Sequence, residues 1–321
     1  AIFLNNCIIL INMKKYLLFL LLLILIIITG CITPRPPGDG GNYPSTGSPN
    51  GIRINFLPDL PPSNIREGNS LTAELELVNY AACDIKGKLW LDDVVDDSQG
   101  GISNSLDKEF GLSGAKAKQN PEKITLRFSR NENLKPYTNL PFSYLDVTLL
   151  ATAVYDCSIS AAPKICVKSV ENTESCPIRE TITGSSLNAM VGPVTVTKVE
   201  RSYNPEAGGS ANLYVDITFS KMSEGRVASS LELQNPFTSS ALNEEDLVSI
   251  EVSFGGTPLI CKDKGDYFKE NKLLFKPEFR ERIINCEALI TSVNELTAQP
   301  LLIEMDYIYR ITQPKEIRIN K

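Results

Sequence analysis

Residues 301–311 read LLIEMDYIYRI, and this stretch alternates apolar and polar side chains with a period of two. The odd-numbered positions from Leu301 to Ile311 are apolar or aromatic, whereas Glu304 and Asp306 fall on the opposite side of an extended chain. A period of two is the pattern of a β-strand that buries one face. The stretch therefore predicts a strand whose aromatic residues pack in a core.

The same alternation recurs along most of the chain. It is found in residues 71–77, 85–91, 124–128, 147–155, 213–219 and 248–254. Short strands separated by turns favour an all-β fold of antiparallel sandwiches. A Gly- and Ser-containing stretch around residues 183–193 predicts a boundary between two domains, residues 52–185 and residues 193–321. Only residues 277–289 favour a short helix.

The N-terminal stretch has the features of an export signal. Lys14 and Lys15 precede an apolar run from Tyr16 to Ile28, and the run ends in small residues before Cys31. This order of charged, apolar and small segments is typical of secreted chains. Its end resembles the lipobox of exported lipoproteins, in which the cysteine carries the lipid. We expect residues 1–31 to be a signal with lipid attachment at Cys31, or else an uncleaved membrane-anchor helix.

Residues 32–51 are rich in Pro, Gly, Ser and Asn and contain few apolar residues. Such a composition cannot bury a core, so the segment predicts a tether that holds the folded part away from the membrane. Both interpretations of residues 1–31 place everything after Cys31 on the extracytoplasmic side, because the two lysines stay in the cytoplasm.

The strand pattern resembles tandem immunoglobulin-like (Ig-like) modules of exported proteins. Residues 65–91, in which Glu67, Gly68 and Asn69 lead into a strand, a turn and a second strand, resemble the opening of CARDB-type modules of cell-surface proteins. The C-terminal half is similar to companion modules of predicted archaeal surface lipoproteins. The resemblance implies two antiparallel Ig-like β-sandwich domains behind the N-terminal signal or anchor helix.

Six cysteines follow Cys31, and an even number in an exported chain indicates disulfides. Six cysteines permit fifteen pairings, so position along the chain has to guide the choice. Cys261 and Cys286 are the two cysteines of the second predicted domain, and Cys166 and Cys176 flank a short polar loop. These two pairs leave Cys83 to bond with Cys157 across a long loop. Trp90, which shares a strand face with Lys86 and Lys88, is expected to be half-exposed.

Composition excludes several classes of function. The chain has no histidine, which removes His-based catalysis and His-ligated metal centres. Thirty-eight acidic residues against 32 Lys and Arg give a net charge of -6, so nucleic acid is not expected as a partner. No catalytic residues are predicted, and we expect a protein that is not an enzyme.

Four carboxylates crowd the segment after Trp90. They belong to Asp92, Asp93, Asp96 and Asp97, and Gly100 and Gly101 follow them. Carboxylates on a loop suit a hard cation, and extracellular modules bind calcium weakly in this way. The spacing is not that of an EF-hand, and a solvated acidic loop explains the same residues. Calcium is therefore the one cofactor that the sequence suggests.

These features predict an extracytoplasmic surface protein that is anchored to the membrane by its N-terminal lipid or helix. We expect a binding or structural role in the cell envelope, such as adhesion, with another envelope protein or a surface glycan as the partner. The alternative is a solute- or ion-binding lipoprotein associated with a transporter. That class usually has two α/β lobes, and the strand-helix-strand alternation of such lobes is missing from this sequence.

Overall fold

The computed structural model describes residues 47–95, 97–102, 105–116, 119–129, 134–171, 175–237, 246–263, 265, 267–291, 293 and 297–321. The described part consists of β-strands joined by turns and short 3-10 segments, and it contains no α-helix. The predicted all-β class is therefore confirmed. The predicted signal or anchor of residues 1–31, with Cys31, lies outside the described residues.

Nineteen strands occur in the described part of the chain. They are β1 (Ile52–Phe56), β2 (Asn64–Arg66), β3 (Ala73–Asn79), β4 (Ile85–Asp93), β5 (Leu106–Leu112), β6 (Lys123–Phe128), β7 (Tyr144–Ala161), β8 (Lys164–Val167), β9 (Arg179–Thr183), β10 (Val194–Glu206), β11 (Ser210–Lys221), β12 (Arg226–Ala228), β13 (Leu247–Phe254), β14 (Thr257–Pro258), β15 (Ile260–Lys262), β16 (Phe268–Lys269), β17 (Lys272–Leu274), β18 (Glu281–Ile290) and β19 (Thr297–Asn320).

The strands form three sheets. A three-stranded sheet has the order β1-β3-β6, and a five-stranded sheet has the order β15-β18-β11-β10-β9. The third sheet has eleven strands and is called the long sheet below; its main path is β16-β17-β13-β19-β7-β4-β5, and β2, β8, β12 and β14 pair beside this path. Neighbouring strands are antiparallel except β2, which runs parallel to β19.

Two long strands connect the halves of the chain. β7 has 18 residues and β19 has 24, and the two pair without interruption from Ala161 and Ile303 to Tyr144 and Asn320. Eighteen paired residues extend for about 60 Å. The described residues between 47 and 321 form one compact unit, and the predicted boundary at residues 183–193 lies inside it. The two predicted domains therefore share one sheet, because β19 of the second half pairs with β7 of the first.

The two smaller sheets cover opposite ends of the inner face of the long sheet. Near one end, Lys315 of β19 lies over the ring of Phe56 of β1. Near the other end, Ala161 of β7 bridges to Ala189, just before β10. The inward side chains of all three sheets belong to one hydrophobic core. The layers are thus sandwich-like, and burial of this core supplies the main driving force for folding.

Three buried tyrosines tie the connecting segments to the middle of the long sheet. Tyr155 accepts a hydrogen bond from the backbone N–H of Ile52, and Tyr307 donates to the carbonyl of Val194. Tyr309 lies 6.0 Å from Tyr155 between ring centroids and donates to carbonyls in the turn before β12. The prediction that the aromatic residues of residues 301–311 pack in the core is confirmed.

The end of the predicted tether belongs to the fold. Ser48 donates its backbone N–H to the carbonyl of Tyr80. Gly47 has a positive φ of 94°, and its Cα lies so close to the backbone of Ala82 and Val191 that a Cβ would collide with both. The tether predicted for residues 32–51 is therefore too long by its last five residues, since residues 47–51 pack at the middle of the molecule.

Two local expectations were wrong. Residues 277–289 do not form a helix: Glu281–Ile290 is strand β18, and its side chains alternate between the core and solvent. Trp90 is only 5% exposed, although it shares the outer face of β4 with Lys88. Residues 226–237, called the strap below, lie over this face and cover the Trp90 ring with Ala228, Leu233 and Phe237.

The three disulfides join the cysteines in the predicted pairs. Cys83 and Cys157 have sulfur atoms 2.08 Å apart, and this bridge attaches the turn between β3 and β4 to the C-terminal part of β7. Cys166 bonds Cys176, and Cys261 bonds Cys286 between neighbouring strands β15 and β18. Disulfides persist in oxidising compartments, so the three bridges fit an extracytoplasmic location.

Candidate functional site

A groove of about 500 Å³ lies on the outer face of the long sheet, on the side away from the core. Its base is formed by β7, β19, β13 and β17, and one side is formed by strap residues 228–230. The side chains that line it include Asp84, Asp156, Ser158, Ser249, Lys272 and Asp306. Carboxylates and hydroxyls therefore dominate its polar lining.

Strand register aligns four of these residues in a row. Asp306 of β19 lies opposite Ser158 of β7 on one side and opposite Ser249 of β13 on the other. Ser249 in turn pairs with Lys272 of β17. Because residues that are paired in register point to the same face of a sheet, the row Ser158, Asp306, Ser249 and Lys272 crosses the groove from edge to edge.

Apolar side chains form part of the base. Leu247 and Ile308 line the groove and are half-buried, and Ala228 of the strap is buried beside them. Two acidic residues stand at the other side of the groove. Asp156 accepts a hydrogen bond from the backbone N–H of Lys86 at 2.7 Å, and Asp84 accepts one from Gly114. The groove therefore combines an apolar base with a carboxylate rim.

A buried ion-pair network holds the strap against the sheet. The Glu232 carboxylate is fully buried and accepts hydrogen bonds from Arg226 at 2.7 Å and from Arg310 of β19 at 2.9 Å. It also accepts the backbone N–H of Ser229. Arg226 extends the network to Asp246 at 3.0 Å. Glu232 thus attaches the strap to β19 through side chains, in addition to the backbone pairing of β12 with β19.

Burial raises the pKa of Asp246 to about 6, and the nearby Glu232 carboxylate adds to the rise while the Arg226 guanidinium opposes it. An unfolded aspartate has a pKa of about 3.9. The folded protein therefore binds the proton of Asp246 more tightly than the unfolded chain does. The protonated carboxyl group contributes its full stabilisation below about pH 4, and this stabilisation is lost as the pH rises through 6.

We expect the free energy of unfolding of the native protein to fall, relative to that of Asp246→Asn, by about 2 kcal/mol between pH 4 and pH 7. The cause is that only the native chain has to ionise a buried carboxylate over this range. Urea unfolding of both proteins at several pH values measures the difference. Parallel pH profiles for the two proteins would contradict the assignment.

The predicted acidic loop is held by hydrogen bonds within the protein. The Asp93 carboxylate accepts the Tyr137 hydroxyl at 2.6 Å and the backbone N–H of Ile102 at 3.0 Å, and Asp92 accepts the Ser105 hydroxyl at 2.8 Å. Gly101 has a positive φ, and a Cβ there would collide with the Asp93 carboxylate. Burial raises the pKa of Asp93, against the opposing effect of the Tyr137 hydrogen bond. Asp93 therefore organises the loop.

The calcium hypothesis stays a prediction. Asp96 and the side chain of Asp97 lie outside the described residues. Within the described residues, no three Cys, Asp or Glu side chains are grouped as a metal site would require. Asp92 and Asp93 each have protein partners, so a cation in this loop would have to share their oxygen atoms.

If the loop binds calcium, millimolar calcium should raise the melting temperature of the native protein and leave that of Asp92→Asn unchanged. Asp92 is the better position for this test because Asp93 holds Tyr137 and Ile102, and its replacement would change the loop directly. Thermal unfolding followed by circular dichroism, with magnesium as the control ion, is the measurement. A melting temperature that does not respond to calcium would reject the hypothesis.

The sequence did not indicate the groove. Its residues come from six separate stretches, and none of them alone indicates a site. Only the pairing of β7, β19, β13 and β17 brings Ser158, Asp306, Ser249 and Lys272 together. The strap network was missed for the same reason, since Glu232 and Arg310 are far apart in the sequence. The visible signal was the alternation of Glu304, Asp306 and Arg310 on one face.

No helix among the described residues has the length and apolar character needed to cross a membrane. Comparison with known proteins found no matching family model and no matching curated relative. The groove and the predicted export signal are therefore the features of this chain that bear on its function.

Proposed function

We propose that this chain is a membrane-tethered, extracytoplasmic binding protein of the cell envelope, without catalytic activity, and that its partner docks in the groove of the long sheet. The observation that carries the proposal is the groove itself: an open depression of about 500 Å³ on an exposed sheet face, with a row of polar side chains across an apolar base. Concave sites that combine apolar surface with a few convergent polar groups are typical of binding.

The location supports this role. The apolar run before Cys31 favours export, and three disulfides suit a compartment in which thiols are oxidised. Lipid on Cys31, or a retained helix, would supply the anchor. The absence of histidine from the sequence favours a binding role over hydrolysis.

The Ig-like resemblance belongs to the same proposal. Antiparallel layers packed face to face support it. The Cys83–Cys157 bridge differs from the immunoglobulin disulfide, because it runs from the β3–β4 turn to β7 and does not join strands of two facing sheets. We therefore infer an Ig-like architecture with its own cross-links.

A photo-crosslinking amino acid tests the docking face in intact cells. Ser249 lies in the groove, and Ser202 is an equally half-buried serine of β10 that pairs with Tyr214 in the five-stranded sheet. We expect a photo-crosslinker at position 249 to trap one discrete envelope protein or glycan, and a photo-crosslinker at position 202 to trap none. Equal capture at both positions, or none at position 249, would contradict the proposal.

The anchor is tested separately in the same cells. We expect the native chain to sediment with membranes and to carry a lipid mass on Cys31, and we expect Cys31→Ser to lack that mass. A Cys31→Ser protein that remains in the membrane would favour the uncleaved helix, whereas a native chain free in solution would contradict membrane tethering.

A further inference from the structure

We infer that the groove binds an extended basic segment of a partner protein, with a lysine or arginine side chain lying on the apolar base and its cation held by Asp306 and the carboxylate rim. This inference rests on the proposed function and adds the chemical class of the partner. It follows from the charge of the outer face, the composition of the groove and its length.

Uncompensated negative charge is concentrated on this face. Asp306 is exposed, and within the described residues it makes no ion pair. One row further along β19, Glu304 lies directly opposite Glu251 of β13, and both are exposed. Like charges directly opposite each other on neighbouring strands destabilise a sheet. A cation that sits between these carboxylates would relieve this repulsion.

The cations of the face do not balance these groups. Lys272 closes the row at the far edge of the groove, and Lys86 stands next to Asp156 on β4. Lys269 of β16 pairs in register with Lys272 and is exposed on the same face. Three lysines thus face the five carboxylates of Asp84, Asp156, Glu251, Glu304 and Asp306. The excess of negative charge attracts a positively charged partner, both in the complex and during the encounter.

The apolar base favours a cation that is carried on a hydrocarbon side chain. Leu247 and Ile308, which are half-buried, offer hydrocarbon surface beside the carboxylates. Lysine and arginine bury their methylene stems on such a surface while the charged end stays at a polar rim. The hydroxyl groups of Ser158 and Ser249, on each side of Asp306, can accept further hydrogen bonds from an ammonium or guanidinium group.

The length of the row favours a segment of chain over a small cation. Four strands from β7 to β17 contribute to it, and three spacings of about 4.8 Å make a row of about 14 Å. An extended peptide covers this distance with about four residues. Asp156 lies two residues from Ser158 on the same face of β7, so two basic side chains of such a peptide could contact Asp306 and Asp156 at the same time.

Fluorescence anisotropy with the full chain in detergent micelles tests the inference. The probe is a labelled peptide with the sequence Gly-Lys-Gly-Arg-Gly, and the comparison is the peptide in which Glu replaces both basic residues. We expect the basic peptide to bind, the acidic peptide not to bind, and Glu304→Gln plus Asp306→Asn to weaken binding at least tenfold. Added salt should weaken binding further.

The matched control removes the same charge elsewhere. Glu109 of β5 and Glu316 of β19 are exposed and do not line the groove. Glu109→Gln plus Glu316→Gln should leave binding of the basic peptide within twofold of the native value. Equal losses in the two double variants would show that net charge alone attracts the peptide, and would overturn the inference.

The outcomes separate this inference from the proposed function. If the basic peptide does not bind at millimolar concentration but position 249 still crosslinks one partner in cells, the groove binds a partner of other chemistry and only the basic-segment inference fails. If position 249 traps nothing, the proposal that the partner docks on this face is wrong, and binding of the peptide in vitro would not rescue that proposal. Circular dichroism of each variant confirms that the fold is retained.

Discussion

Replacing Glu232 by glutamine is expected to lower the free energy of unfolding by about 3 to 5 kcal/mol. Glutamine has nearly the same shape, so the effect comes from charge. The fully buried carboxylate accepts hydrogen bonds from Arg226 and Arg310. Without it, within the described residues, Arg310 loses its carboxylate partner and Arg226 keeps only Asp246. Removing one partner of a buried ion pair lowers the stability strongly, because the remaining charge stays desolvated.

Urea unfolding followed by fluorescence measures this loss. Trp90 is the one tryptophan of the chain, and it lies beneath the strap that Glu232 holds. Its emission should therefore shift to longer wavelength at a lower urea concentration in the variant. Glu316→Gln changes an exposed glutamate on β19 and should alter stability by no more than about 0.5 kcal/mol. A Glu232→Gln protein as stable as this control would show that the network does not hold the strap.

The alternation of side chains was enough to predict most strands. Residues 213–219 and 301–311 each put apolar residues on one side, and the structure buries those residues in β11 and β19. The period-2 signal is reliable here because each strand has one core face and one outer face. It failed for residues 277–289, where Ile283, Cys286 and Leu289 are spaced by three and fit a helix face as well as a strand.

Strand pairing could not be predicted in the same way. A period of two tells which residues of a strand face the core, but it does not tell which strand lies beside it. Nothing within residues 144–161 indicates that they pair with residues 303–320, and this pairing joins the two halves into the long sheet. The groove depends on it, because Ser158 and Asp306 become neighbours only in this register.

The error over Trp90 has the same origin. Trp90 shares a face with Lys86 and Lys88, and that pattern correctly placed it on the side of β4 away from the core. The sequence did not show that residues 226–237 return to cover this side. Contacts between distant segments determine whether side chains at such positions are buried. The cysteine pairs, in contrast, could be assigned because each predicted half contained few cysteines.

Removing the Cys83–Cys157 bridge is the second change with a large expected effect. The bridge closes a loop with a sequence separation of 74, against 25 for Cys261–Cys286 and 10 for Cys166–Cys176. The loop-entropy relation gives losses of about 4.4, 3.5 and 2.7 kcal/mol for the three bridges in that order. Removing the bridge of a longer loop lowers the stability more, because that bridge excludes more conformations of the unfolded chain.

The position of the first bridge should add to this loss. Cys83 and Cys157 are both buried in the core, and the Cys157 sulfur contacts the Tyr307 hydroxyl at 3.3 Å. Tyr307 also bonds to Val194 at the start of β10. Removal of this bridge therefore loosens the site where the β3–β4 turn, the long sheet and the five-stranded sheet meet, whereas Cys261–Cys286 joins two strands that already pair in register.

Urea unfolding of three variants, each with one pair of cysteines replaced by alanine, tests the order. We expect the Cys83–Cys157 variant to be the least stable and the Cys166–Cys176 variant to be the most stable of the three. The matched design replaces two cysteines each time, so the comparison isolates the loop and its surroundings. If the three variants lose the same stability, or the order is reversed, then neither loop length nor the junction at Tyr307 governs what these bridges contribute.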